Sequence, residues 1–193
     1  VLDLGCAGGA LGAGLRARGA EVVGVELDPG FAAAARERLD AVVEGDVEAV
    51  LAGRDPALAA PFDCVVAADI LEHLRDPWTA LGRAAARLEP GGRAVVSLPN
   101  VRFFETFFEL GVRGRWPRRE SGIFDRDHLR WFARRDAVEL LEQAGLEVRS
   151  VRALYRVRPL GSRFDRVLGP VIGRVPGVRE FFAFQYLIVG VRR

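Results

Sequence analysis

A three-layer α/β fold around a doubly wound, mostly parallel sheet is what the sequence predicts, and three observations predict it. Four short apolar runs, closing near Leu4, Glu26, Val43 and Ala67, each give way to a helical repeat, and strands that alternate with helices specify parallel strand–helix–strand units. The first run breaks into a glycine-rich turn, Gly5-Cys6-Ala7-Gly8-Gly9, the form of a loop that lets backbone approach a ligand with few Cβ atoms in the way. Acids stand at or just after successive run ends, as Asp3, Glu26 and Asp46.

In the first unit Val1, Leu2 and Leu4 supply the buried strand, and Leu11 and Leu15 begin the helical repeat. Asp3 lies inside that strand end, and Gly5-Cys6-Ala7-Gly8 does not complete G-x-G-x-x-G. A pyrophosphate would be repelled there, whereas a cation or an amino group is suited. Arg18-Gly19 turns the chain into a second buried strand, Glu21 to Glu26. Glu26 follows Gly5 by twenty-one residues, the interval that brings an acid beside the glycine loop, where it can accept from ribose hydroxyls. Asp28-Pro29 starts a helix with an apolar stripe of Phe31, Ala34, Ala35 and Leu39. Ala41 to Val47 is the third strand and its exit, and Gly45-Asp46 is either a ligand contact or a plain turn. A Gly- and Pro-containing loop, 53–61, leads to the fourth strand, which runs from Phe62 to about Ala67 and leaves Ala68 and Asp69 to line a cleft. Glu72 and His73 fall in a short helical turn. Asp76-Pro77 opens the next helix, with Trp78, Leu81, Ala85 and Leu88 inward, and Glu89-Pro90-Gly91-Gly92 ends it before a strand from Arg93 to Leu98.

Beyond Pro99-Asn100 the pattern changes. Phe103, Phe104, Phe107 and Phe108 recur at helical spacing until Gly111, Gly114 and Pro117 interrupt them, so residues 101–133 read as a substrate-side insert or lid, with an extra core helix as the alternative. Asp136 caps a helix that buries Ala137, Leu140, Leu141 and Ala144 and stops at Gly145. Leu146 to Leu154 and Phe181 to Val191 are strands. Between them Pro159 to Glu180, apolar and interrupted by Gly and Pro, reads as a flap over the site or a membrane-touching segment.

Half of the 193 residues are hydrophobic and 28% are charged, which fits one domain, 1–193, with a sizeable core. Cys6 and Cys64 are the only cysteines, too few for a disulfide framework, and they suit a reducing cytoplasm. No apolar run approaches the ~18 residues of a spanning helix. The chain opens inside a strand and holds no methionine, so its natural start is expected upstream. All 28 basic residues are arginine, and they are unevenly placed: residues 1–100 carry 9 against 15 acids (−6), residues 101–193 carry 19 against 11 (+8). The basic half is compatible with an anionic acceptor, peripheral contact with an anionic membrane, or RNA, although scattered arginines also make an ordinary solvated face.

Three stretches carry a family resemblance. Asp3-Leu4-Gly5-Cys6-Ala7-Gly8-Gly9 resembles motif I, D/E-x-G-x-G-x-G, of class I S-adenosylmethionine-dependent methyltransferases, with Ala7 in the place of the middle glycine. Phe62 to Pro77 resembles the fourth-strand motif, F-D-x-V, then L-E-H and D-P. Asp125-Arg126-Asp127-His128-Leu129-Arg130-Trp131-Phe132 looks like D-R-x-H-L-R-x-F of a subgroup that modifies bacterial surface sugars and other small molecules. The likeness covers nearly the whole chain and is weakest at 101–120 and 156–180. It implies a Rossmann-like, seven-stranded sheet with an antiparallel last strand. It also implies S-adenosyl-L-methionine as cofactor, held by Asp3, Gly5, Cys6, Ala7, Gly8, Glu26, Leu27, Asp46 (on the adenine amino group), Val47 and Ala68. The cofactor's amino group and sulfonium meet the demand that Asp3 makes.

Methyl transfer to oxygen needs a base, and the chain has two histidines, His73 and His128. His128 is favoured because it lies in the substrate-side stretch, with Asp125 and Asp127 near in sequence to orient it; an anchoring role for the insert is the alternative. The resemblance to ubiquinone-pathway O-methyltransferases also offers Asp69, Glu72 and His73 as metal ligands, but a His73 packed beneath the cofactor cleft is preferred and no metal is assigned. The expected acceptor is a small molecule or a glycan intermediate. A nucleic-acid methyltransferase is disfavoured, because the chain lacks an N-P-P-Y-like motif and an RNA-binding module. A non-catalytic binding module would leave the histidines unexplained, and a nicotinamide-dependent oxidoreductase conflicts with Asp3.

Overall fold

The computed structural model describes residues 1–156 and 178–193. The stretch read as a flap, 159–180, lies outside the described residues up to 177. Five parallel strands form one side of a seven-stranded sheet: β1 (Leu2–Leu4), β2 (Val23–Glu26), β3 (Ala41–Glu44), β4 (Phe62–Ala68) and β5 (Leu88–Pro99). Then β6 (Leu146–Tyr155) and β7 (Ala183–Arg192) complete it in the order β3-β2-β1-β4-β5-β7-β6. β7 runs antiparallel to both neighbours, as the resemblance implied.

Helices α1 (Ala10–Arg16), α2 (Pro29–Arg36), α3 (Val47–Ala52) and α4 (Pro77–Ala85) follow the first four strands, and α6 (Arg134–Gln143) precedes β6. Their starts are built from sequence. Asp28, Asp46 and Asp76 each cap a helix by accepting the amide three residues on, at 2.8, 3.0 and 3.0 Å, which satisfies one of the amides a helix start leaves open. α1 differs: its N-cap is Gly9 at φ 75°, with no side-chain cap, so its first amides stay open toward the loop. α1 also sits close on the sheet because residue 12 has no side chain; a Cβ there would stand 2.4 Å from Leu39 Cδ2. The main core joins β1, β4 and β5 to α4 and α6 through Leu4, Val65, Leu81, Val96, Leu140 and Leu141.

Several expectations shift. α4 ends at Ala85, and Leu88 is already the first residue of β5, pairing with Phe62. Residues 89–92 are a bulge within β5, since the next pair is Cys64 with Arg93. Trp78 and Phe31 are exposed, so α4 and α2 bury Ala80, Leu81 and Ala84, and Ala32 and Ala35, instead. α6 starts two residues before Asp136, which reaches back from the first turn to accept Ala133 N at 2.9 Å. The Phe-rich stretch forms α5 (Phe104–Phe107), which widens into a π-type turn over Phe108–Val112. Asn100, fully buried, ties the exit of β5 to β7: its Nδ2 donates to Glu180 O and Ala183 O at 2.8 and 2.7 Å, and its Oδ1 accepts Arg102 N at 3.0 Å.

Candidate active site

Strand order reverses between β1 and β4, and the carboxyl ends of strands at such a point open a crevice. Leu4 pairs with Ala67, so the glycine loop leaves β1 beside Ala68 and Asp69. Gly5 and Cys6 donate to Val25 O at 2.9 and 3.1 Å, folding the loop toward β2. Gly5 takes φ 68°, and a Cβ there would lie 2.8 Å from Ile70. Ala7 also sits in the left-handed region, at φ 46°, which explains why glycine usually stands at its motif position.

Two carboxylates lie under this loop. Glu26 accepts Ala7 N at 2.8 Å through Oε2 and Asp28 N at 2.9 Å through Oε1. It therefore braces the loop as well as facing the crevice, and each oxygen keeps a lone pair for a ligand hydroxyl. Asp3 is 2% exposed, and its pKa is pushed up to about 6 by burial and then by the charge of Glu26. A cation delivered beside it would relieve both causes. The Cys6 thiol is raised to about 11 by burial first and then by the charges of Asp3 and Glu26, so it packs, filling the space over Gly24, and is no nucleophile. Leu27 is exposed at the tip of β2. Asp46 is exposed with one oxygen committed to capping α3, and the Val47 side chain is buried in the main core, which leaves only its backbone for a ligand. A bare bend, open amides at α1 and a buried acid fit a ligand that carries an amino group, a ribose and a positive charge.

The second half of the crevice is a cleft of about 540 Å³, lined among others by Asp69, Glu72, His73, His128, Arg119 and Gln185. Both histidines reach it. His73 and His128 stand edge to face, ring centroids 4.7 Å apart. His128 is buried, with Nε2 4.0 Å from Glu72 Oε1, while its Nδ1 and Glu72 Oε2 have no hydrogen-bond partner. Burial, then the neighbouring His73, pulls the His128 pKa down. Burial pushes Glu72 up to about 8. Burial thus favours the uncharged form of both His128 and Glu72.

The acids expected to orient His128 do other work. Asp125 Oδ1 accepts Asp127 N at 2.9 Å to make the local turn, and Asp127 O lies 3.2 Å from His73 Nδ1. Glu72 is the carboxyl nearest His128, brought there because Glu72 O accepts both Leu129 N and Arg130 N, at 2.8 and 3.0 Å. Asp69 turns away from the metal set that the resemblance offered. Its backbone is left-handed, φ 53°, and its Oδ1 accepts Ser97 Oγ at 3.0 Å and Gln185 Nε2. The trio whose ligand atoms do converge, within 4.8 Å, is Glu72, His73 and His128, a donor set that suits a transition metal better than magnesium. Ser97, Arg119 and Gln185 went unnoticed in the sequence; only Gln185, a lone amide in the apolar run Phe181 to Val191, left a signal there.

Comparison with known proteins gives the family. Residues 1–151 match the family model described as a methyltransferase domain. A ubiquinone biosynthesis O-methyltransferase from Marinobacter nauticus is 35% identical over 104 residues, 52% of this chain and 44% of that protein. One from Aeromonas salmonicida is 28% identical over 167 residues, 85% of this chain and 69% of that protein. The stretch matched to the Marinobacter protein thus spans less than half of that protein's length. Among solved structures, a SAM-dependent methyltransferase from Archaeoglobus fulgidus superposes with a TM-score of 0.67 at 18% identity, over 99% of this chain and 85% of that one. Magnesium protoporphyrin IX methyltransferase from Synechocystis, with bound SAH, gives 0.65 at 16% identity, over 100% and 73%. With the family model covering most of its length, this chain belongs to the methyltransferase-domain family.

Proposed function

We propose that the protein transfers a methyl group from S-adenosyl-L-methionine to an oxygen of a small molecule or glycan intermediate, with His128 as the base. The observation that carries this reading is His128: an imidazole whose charged form burial disfavours, on the wall of a cleft that begins at Asp69, next to the Ile70 that stands over Gly5. When bound, the cofactor supplies an electrophilic methyl on a positively charged sulfur. Asp3 would pair with its cationic end, Glu26 and Asp46 would accept from ribose and base, and Gly5, Cys6, Ala7, Gly8, Leu27, Val47 and Ala68 would line its path. His128 would take the proton of the acceptor hydroxyl, the chemistry of the transfer itself being the donor's. His73 holds the ring of His128 edge-on, and residues 101–133 wall off water, which is what a displacement of this kind requires of a protein. Cys6 and Cys64 are both free thiols, which suits the reducing cytoplasm in which we place the protein.

The test is release of S-adenosylhomocysteine from labelled donor with phenolic and sugar acceptors, alongside calorimetry of donor binding. His128→Gln is expected to lower kcat by about 10²–10⁴ with donor affinity unchanged. Absence of donor binding would refute the reading. A second reading, a metal on Glu72, His73 and His128, is favoured only by their convergence. Turnover that survives a chelator removes it.

A further inference from the structure

The three tryptophans of the chain, Trp78, Trp116 and Trp131, share one face, and each is about 40% exposed (42%, 38% and 43%). Trp131 packs its ring against Trp116 at 90°, centroids 5.5 Å apart, and Trp116 rests on buried Phe124 at 4.9 Å. Trp78 stands 6.3 Å from buried Phe132. Between Trp78 and Trp131 lies a recess of about 240 Å³, whose remaining lining is Phe132, Arg130 and one polar row, Asp136, Glu139 and Gln143. Those three residues recur at i, i+3 and i+7 on α6, so they share one helix face. Asp136 commits one oxygen to Ala133 N and keeps the other. Arg130 is fixed by its own bonds to Leu129 O, at 2.9 Å, and to Arg75 O.

Large indole rings left half in water beside a ready-made hollow mark a binding surface. The chemistry of the walls selects the ligand. Two carboxylates and an amide against a single guanidinium repel phosphate, so a nucleic acid or a phosphorylated group is unsuited. An apolar partner would strand those polar groups without hydrogen bonds. A pyranose matches both halves: one face is a patch of C–H groups that lies on an indole's electron-rich surface, and its rim of hydroxyls donates to carboxylates and accepts from amide and guanidinium. We propose that this recess is a saccharide-binding subsite, taking one sugar ring between Trp78 and Trp131. It names the sugar form of the acceptor and rests on that reading for its purpose, although not for its test.

The recess backs onto the acceptor cleft. Residues 128–132 separate the two, with His128 lining the cleft and Arg130 to Phe132 lining the recess. A saccharide seated on Trp131 is therefore held by the same segment that carries the proposed base.

The experiment is saturation-transfer NMR and calorimetry on the whole chain with the methyl glycosides of mannose, galactose, rhamnose and N-acetylglucosamine, with glycerol as the polyol control. At least one glycoside is expected to bind with a dissociation constant on the order of 1 mM, with transfer strongest at its C–H face, and glycerol is expected to give none. Trp131→Ala is expected to weaken that binding at least about tenfold, while Trp131→Phe, which keeps a ring, retains it within about threefold. His128→Gln is expected to leave it unchanged. The proposal falls if none of the four glycosides binds, or if Trp131→Ala, shown folded by its unaltered donor affinity, binds them as the parent does. It falls equally if His128→Gln abolishes binding, which would seat the sugar in the cleft. Donor binding is measured separately, so the methyltransferase reading and the saccharide subsite can fail independently.

Discussion

At the scale of single residues, Asp3 shows how a site is bought with stability. Its folded-state pKa of about 6 lies above the ordinary 3.8. The contribution of its protonated form is therefore complete below about pH 4 and is lost as pH rises through 6. Asp3→Asn is expected to stabilise the ligand-free protein at pH 7 by on the order of 2 kcal/mol, read from denaturant melts at pH 5 and 7, while donor affinity falls at least about tenfold. In the parent, donor affinity is expected to fall as pH drops below 6, because the cation then competes with a proton. Ala7→Gly relieves a left-handed alanine and is expected to leave stability within about 1 kcal/mol, in contrast to changes at forced positions. Asn100→Leu would strand two carbonyls and an amide in the core, a loss expected at about 2–3 kcal/mol. Asp3 and Glu26 were legible in the sequence because their distance from the glycines is fixed along one strand–helix–strand unit. The meeting of Glu72 with His128 was not, since they are far apart along the chain and a tertiary contact joins them.

Among elements, the legible ones carry local chemistry. Asp-Pro pairs at 28–29 and 76–77 announced α2 and α4, and both Asp residues cap as their type requires. What resisted reading was decided by neighbours. Leu88 satisfies a helical period, yet it pairs with Phe62, because Gly91 at φ 81° and Gly92, whose Cβ would sit 2.9 Å from Glu89 O, let β5 bulge and resume. Likewise the phenylalanines of 103–108 follow a helical period, but the helix widens at Phe108, where Arg113 and Arg115 fold back on the buried Glu109. The packing of the glycine loop on β2 gives a sharp test. A Cβ at Gly24 would stand 2.5 Å from Cys6 Sγ and 2.8 Å from Leu39, so Gly24→Ala is expected to destabilise by about 1–3 kcal/mol and to weaken donor binding by shifting Cys6 in the loop.

Across the whole molecule, residues 1–100 supply the glycine loop with its acids and residues 101–193 supply most of the cleft lining, where Arg119 and Arg156 face Glu105 and Asp125, so the charge asymmetry of the sequence does not carry into the cleft. The fold class was legible because alternating strands and helices leave little choice of topology, whereas the resemblance implied only an antiparallel last strand, and the place of β7 between β5 and β6 is a finding of the structure. The pH–rate profile should carry both halves. Its acid limb is expected below the ordinary histidine value of ~6.5, since burial lowers His128, and Asp3→Asn and His128→Gln assign it between the two groups. A further consequence follows from Glu72 O, the one carbonyl that receives both Leu129 N and Arg130 N. That backbone pair places no demand on side-chain identity, but beside it His73 meets His128, Trp78 meets Phe132 and the Arg130 guanidinium donates to Arg75 O. Chimaeras that exchange residues 101–133 are therefore expected to bind donor as the parent does only where those side-chain contacts travel with the graft, which calorimetry of donor binding checks.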